Sequence, residues 1–316
     1  MENALAPRRQ KNRFQKIVQR EARRYQLYLL LLLPLAYIFI FHYGSMYGLL
    51  ISFKDYNAGK GILGSPWVGM KHFERFFHSH NFWQILRNTL EISVYSLLAG
   101  FPLPIILALA LNSCKSTKYK KIVQMATYAP YFLSVTVVVS MMNQFFAEKT
   151  GVVNMILETF TGQRISFLTK SSAFIHMYVW SGVWQATGYS SIIYIAALAG
   201  IDPTLHEAAM VDGANKFQRI WHIDLPGILP TATILLILNL GNIMSIGFEK
   251  VYLMQNSMNI SRSQTIATYI YQQSVGSSIP NFSYSTAVGM FNSVINFVML
   301  LTVNTIANKV NDSGLF

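Results

Sequence analysis

Six stretches of this chain, about 26–50, 88–112, 122–146, 173–200, 228–254 and 283–307, are long, apolar and nearly free of charge. A bilayer core about 30 Å thick takes about 20 apolar residues of helix to cross. Each stretch meets that length, so the pattern predicts an all-α membrane protein with six spans. Composition agrees: 52% of the 316 residues are hydrophobic and only 12% are charged, against about 25% charged in soluble domains. The chain divides into a basic tail over 1–25, a six-helix transmembrane region over 26–312 and a short tail over 313–316.

The net charge of +12 sits beside the spans. The first 24 residues carry Arg8, Arg9, Lys11, Arg13, Lys16, Arg20, Arg23 and Arg24, and the 113–121 loop carries Lys115, Lys118, Lys120 and Lys121. Clusters of this kind orient a polytopic protein with its basic loops inside, which argues against a nucleic-acid surface. Both termini are then expected on the cytoplasmic side of the membrane. No small-residue cleavage site follows the first span, so it reads as an uncleaved helix and not a signal peptide. Residues 9–24, with Phe14, Ile17 and Val18 among the basic groups, suit a helix lying on the membrane surface. Pro34, Pro102, Pro104 and Pro130 fall inside spans and predict kinks.

The opposite-side segments are 52–87, about 147–172 and about 255–282. The first is rich in turns, with Gly59, Gly61, Gly64, Pro66 and Gly69, and carries one short helix around Met70–His78. His72, His78 and His80 lie there without a completing carboxylate or cysteine and read as solvated, with no metal expected. The lone Cys114 rules out an internal disulfide.

The hydrophilic loop 201–226, between the fourth and fifth spans, has its own pattern. Glu207-Ala208-Ala209 is followed after Met210, Val211 and Asp212 by Gly213, and then, after Ala214 to His222, by Ile223, Leu225 and Pro226. Ala208 and Ala209 favour a short helix over 207–212, with Thr204 placed for a capping box after Pro203. Gly213 can take a positive φ and turn the chain sharply. A second helix over about 216–223 carries Phe217, Ile220 and Trp221, and Pro226 is expected to break it. The spacing E-A-A, three residues, G, nine residues, I, one residue, L-P resembles the EAA loop of the membrane subunits of bacterial ABC importers. That resemblance implies a type I importer permease fold. It also implies that Glu207, Ala208, Ala209, Asp212, Gly213 and Phe217 form a knob seated on an ATPase, with Glu207 and Gly213 the most sensitive to change. The chain has no G-x-x-x-x-G-K-[ST] motif; the nearest approach is GSPWVGMK at 64–71. ATP and Mg belong, on this reading, to a separate chain, and no cofactor is expected here.

Polar residues recur at helical spacing inside the spans. Asn239, Asn242, Ser245, Glu249 and Tyr252 step by 3, 3, 4 and 3; Ser285, Gly289, Asn292 and Asn296 step by 4, 3 and 4. The fourth span carries Trp180, Trp184, Gln185 and Tyr189, and the second opens with Asn88, Glu91 and Tyr95. Helix–helix hydrogen bonding accounts for any single one of these, and interfacial belts account for the tryptophans. The stripes together favour a wet cavity. Glu249 lies toward the outer end of its span, with Lys250 or a neighbouring helix as partner. Amides, hydroxyls and aromatic rings without a deep basic residue suit a sugar.

The stretches IGFEKVYLMQNS at 246–257, SQTIATYIYQQ at 263–273 and SFKDYNAGKGILGSPWVGMKHFERFF at 52–77 resemble the carbohydrate-uptake branch of these permeases, including those for alginate and pectin fragments. The Gly-Gly-Pro run common in relatives near 253–256 is absent. The resemblance implies a second homologous permease, two ABC ATPase subunits, an extracytoplasmic solute-binding protein and an oligosaccharide as cargo. A permease of the same family for peptide, and a membrane enzyme or passive channel needing no ATPase, are the rival readings.

Overall fold

The longest uninterrupted helices fall where the apolar stretches lie, and the fold is best read from where they break. A computed structural model describes residues 25–311, so the surface helix expected over 9–24 and the residues 312–316 lie outside the described residues. Among the described residues the elements are helical. α1 is Tyr25–Phe53, α2 Lys71–Phe77, α3 Phe82–Asn112, α4 Thr117–Phe132, α5 Val135–Phe145, α6 Val152–Thr161 and α7 Ser171–Ala199. Then follow α8 Pro203–Val211, α9 Lys216–Gly241, α10 Phe248–Met254, α11 Ile266–Gln273 and α12 Phe282–Asn311.

Four single helices, α1, α3, α9 and α12, are long and apolar enough to cross a bilayer. The third expected span is a bent pair: α4 and α5 meet at 100°. Pro130 sits in the 3-10 turn Ala129–Phe132 that ends α4, and Ser134 caps α5 by accepting the Val137 N–H at 3.3 Å. A helix end at Phe132 and a helix start at Val135, with two residues between them, override an apolar run that looked continuous. Lys118, Lys120 and Lys121 lie on α4, which starts at Thr117, and not in a loop. α7 has the required length, 29 residues, but its Trp, Ser, Gln and Tyr content makes it less apolar than the other four. Four of the six stretches thus each carry one helix long enough to span, one is a bent pair and one is a long helix of mixed polarity.

The fifth stretch also breaks. α9 ends at Gly241, residues 242–247 are non-helical, and Glu249 and Tyr252 sit on the separate α10. The face drawn through Asn239, Asn242, Ser245, Glu249 and Tyr252 is therefore not one helical face. The break is pinned from α12, where Asn296 accepts the Met244 N–H at 3.0 Å and donates to the Ser245 hydroxyl at 2.8 Å.

Three buried apolar clusters are strung along α3. At its N-terminal end Phe82 and Ile85 pack with Phe76, Tyr269 and Tyr284; in the middle Ile92 meets Phe174, Val179 and Val251; at its C-terminal end Ala108 meets Tyr194, Leu198 and Ile228. α3 is the spine against which α7 lies. The 54–81 segment closes the N-terminal end of α3. Lys54 Nζ donates to the Ile62 and Leu63 carbonyls at 2.8 and 3.1 Å, and Asp55 pairs with Lys71 at 2.7 Å. The hydrogen bond from Lys71 holds the Asp55 carboxyl below the usual carboxylate range. His72, expected to be solvated, is buried, 3.2 Å from the Lys54 carbonyl oxygen and 3.0 Å from Asp55. The helix expected around Met70–His78 is α2, and a further single helical turn, Gly61–Gly64, precedes it.

Two tests follow from this packing. A Cβ on Gly188 of α7 would come within 2.0 Å of the Thr127 carbonyl oxygen on α4. Gly188→Ala should lower the thermal unfolding midpoint in detergent by an overpacking cost of about 1–3 kcal/mol. Gly100→Ala, where a Cβ meets nothing within 4 Å, should be neutral or stabilise by up to about 1 kcal/mol. Equal midpoints for the two variants would contradict this packing. Asn296→Ala should cost about 1–3 kcal/mol by stranding the Met244 N–H. Asn242→Ala removes only a bond to the Leu238 carbonyl in the last turn of α9 and should cost no more than about 0.5 kcal/mol.

Candidate functional site

Two features stand out, a knob at one end of the bundle and a cavity within it. The knob begins at Asp202, whose carboxylate caps α8 by accepting the Thr204 N–H at 2.9 Å, with Pro203 at the first helical position. That bond holds the Asp202 carboxyl below its ordinary value. Thr204 itself is inside the helix, so the capping box expected of it does not form. The aspartate one place before the proline is the better cap, because proline needs no N–H partner there.

α8 ends at Val211, and Gly213 turns the chain at φ 82°. The Ala214 N–H donates back to the Ala209 carbonyl at 2.8 Å, which closes the terminus in the way left-handed glycine caps do. The next helix opens at once. Asn215 and Gln218 form a reciprocal capping box at 2.9 and 2.7 Å. The expected second helix does not stop at Pro226: α9 runs from Lys216 through a π-turn at Ile220–Asp224 to Gly241. The wide turn just before Pro226 accommodates a residue that lacks the helical N–H.

Glu207, Ala208, Asp212, Gly213 and Phe217 are all on the surface of this knob, and Ala209 is half-buried beneath them. Val211 is 89% exposed, Phe217 84% and Trp221 67%. Ile220, expected beside the last two, is turned half inward. Three bare apolar side chains on a rigid polar loop are the mark of a protein-binding surface.

The cavity has a volume of about 680 Å³ and lies between α3, α7, α9 and the 242–247 break. Tyr189, Asn239 and Asn242 of the expected pathway line it, with Ser245. Sequence reasoning missed Tyr131, Tyr178 and Tyr194, and Ser93, Ser96 and Ser190, which line it as well. The rings of Tyr131 and Tyr189 stack in parallel, 3.9 Å apart. Spacing could not have found Tyr131, since only the α4–α5 bend carries it to the cavity.

The other expected pathway residues do not line this cavity. Trp180 and Trp184 are half-exposed on α7, one turn apart, and Trp180 Nε1 donates to the Tyr95 hydroxyl at 2.8 Å. Glu249 accepts from Thr136 on α5 at 3.4 Å, and Tyr252 packs on Phe248 and Tyr271. Asn296 braces the break, and the Oδ1 of Asn292 is buried without a hydrogen-bond partner. Lys250 does not pair with Glu249. It is 8% exposed, donates to the Tyr178 carbonyl at 3.0 Å and lies 4.9 Å from the centre of that ring. A basic residue is therefore buried in protein directly behind Tyr178 of the cavity wall.

Residues 100–312 match the family "Binding-protein-dependent transport system inner membrane component". Protein LplB of Bacillus subtilis (strain 168) is 44% identical over 290 residues, covering 92% of this chain and 91% of its own. The polygalacturonan/rhamnogalacturonan transport system permease protein YteP of the same organism is 39% identical, covering 92% and 90%. A chain of a bacterial alginate ABC transporter, solved in complex with an alginate pentasaccharide-bound periplasmic protein, superposes with a TM-score of 0.86. It is 36% identical and the match covers 94% of this chain and 99% of that one. With the fold, the knob and these likenesses in agreement, the chain belongs to the binding-protein-dependent transport inner membrane components and has the type I ABC importer permease fold.

Proposed function

We propose that this chain is the membrane-spanning permease subunit of an ATP-driven sugar importer and walls half of the pathway for an oligosaccharide. An extracytoplasmic binding protein delivers the sugar, a second, homologous permease supplies the other half, and two ABC ATPase subunits bind the knobs. Both termini and the knob face the cytoplasm. The observation that carries this is the knob itself: a loop locked by three caps that presents Val211, Phe217 and Trp221 bare. Exposed rings on a water-facing loop call for a protein socket, and this chain brings no phosphate-binding loop of its own to power transport.

The cargo reading is supported by the cavity, where tyrosine rings offer faces to pyranose rings and serine and asparagine offer donors and acceptors to hydroxyls. YteP and the alginate transporter, similar over most of their length, are named for polysaccharides. Transport then follows from linkage. Closure of the ATPase dimer by ATP and docking of the loaded binding protein each favour one state of the helix bundle, and each strengthens the other to the same degree.

Reconstituted with its partner chains, the complex should hydrolyse ATP faster with an oligosaccharide-loaded binding protein and show no response to a peptide-loaded one. A peptide response would sink the sugar reading. In the same assay Gly213→Val, which forces a β-branched residue to φ 82° at a strain of about 1–3 kcal/mol, should insert normally and lose uptake. Normal uptake by that variant would remove the knob from the coupling path.

A further inference from the structure

Beneath the knob lies a buried carboxylate that neither the cavity nor the exposed surface uses. Asp224 is 4% exposed and ends the π-turn Ile220–Asp224. Its Oδ1 is 3.3 Å from His206 Nε2, on α8, and 3.5 Å from Asn112 Nδ2, the last residue of α3. One oxygen thus joins three helices: the first arm of the knob, the foot of α9 and the end of α3. Arg219 precedes Asp224 by five residues, and its Nε is buried without a hydrogen-bond partner. An i to i+5 pair is turned apart on an α-helix, but the π-turn's wider coil brings such a pair to one side. The charged and titratable groups gathered here are therefore Asp224, His206 and Arg219. One turn on, Gly227 lets α9 close on Ile201, whose side chain a Cβ would meet at 2.5 Å. Above that begins the apolar cluster of Ala108, Leu198 and Ile228.

We propose that Asp224 is a positioning residue for coupling. Its carboxylate clasps α8 to the adjoining ends of α3 and α9, so that a displacement of the knob passes into the helices that wall the cavity and is not absorbed by bending at the loop. α3 and α9 both contribute cavity-lining residues, which makes them the helices that must move. The proposal rests on the reading of the knob as the ATPase-facing joint.

The test uses the full complex in proteoliposomes, with oligosaccharide uptake and ATP hydrolysis measured together. If the unmodified complex shows no sugar-stimulated hydrolysis, the importer reading fails, independently of the clasp. If it does, Asp224→Asn and His206→Leu should each keep the ATPase bound and hydrolysing while uptake per ATP falls about tenfold. Because the two residues act as one clasp, the double variant should be no worse than Asp224→Asn alone. Single-variant ratios within about twofold of normal, or a double defect equal to the product of the singles, would overturn the proposal. So would a lower unfolding midpoint with the uptake-to-ATP ratio intact, which is what a purely packing role produces. If Asp224→Asn fails to insert, His206→Leu and Asn112→Leu decide the matter on the same ratio.

Discussion

A backbone inside a lipid bilayer must satisfy its own hydrogen bonds, and this requirement governs where the helices can stop. An unpaired N–H or C=O in hydrocarbon is expensive, so a break at membrane depth survives only against protein or water. Among the described residues two breaks interrupt the apolar stretches, at 133–134 and at 242–247, and side chains from neighbouring helices patch each of them. Gln185 of α7 donates to the Leu133 carbonyl at 2.9 Å. Asn296 of α12 accepts the Met244 N–H and holds Ser245. These amides are structural because the breaks exist, and the breaks open the cavity, because Tyr131 and residues 242–247 turn inward there.

The polar stripes of the sequence therefore have two purposes that share a periodicity. Asn239 and Asn242 face the cavity; Asn296 and Gln185 mend backbone. Both kinds must point into the bundle, so both appear at steps of three and four. Period alone cannot separate a residue that wets a cavity from one that supports its wall. The fifth stretch shows the limit most clearly. Its spacing fits a helical face from Asn239 to Tyr252, yet the helix ends at Gly241. Spacing tests phase between neighbours, and continuity depends on glycines and on partners supplied by other helices.

What was legible follows the same division. The apolar stretches marked the long helices because lipid length is a one-dimensional constraint that a sequence carries directly. The knob was legible because its parts are local: Ala208 and Ala209 in a short helix and Gly213 at the turn, with φ 82°, although the reciprocal Asn215–Gln218 box was overlooked. Even there the capping residue was misplaced by two positions, since Asp202 and Thr204 both have the right chemistry and only the backbone chooses between them. Lys250, His72 and Asp224 were misjudged or overlooked. Their burial is decided by helices distant in sequence, α7 for the first and α3 for the last.

The continuity of α9 ties these features into one device. From Lys216 at the knob to Gly241 at the cavity it runs 26 residues without a gap, about 39 Å at the α-helical rise. The widened turn at 220–224 lets Pro226 sit inside it, so the proline does not become a hinge. A hinge at Pro226 would let the knob swing while the cavity stayed still. Pro230 follows inside the helix, where one more backbone N–H is missing, and beyond it the helix ends at the 242–247 break, which lies in the cavity wall itself. One helix therefore joins the knob to the cavity wall, with its widened turn at the knob and its end at the cavity.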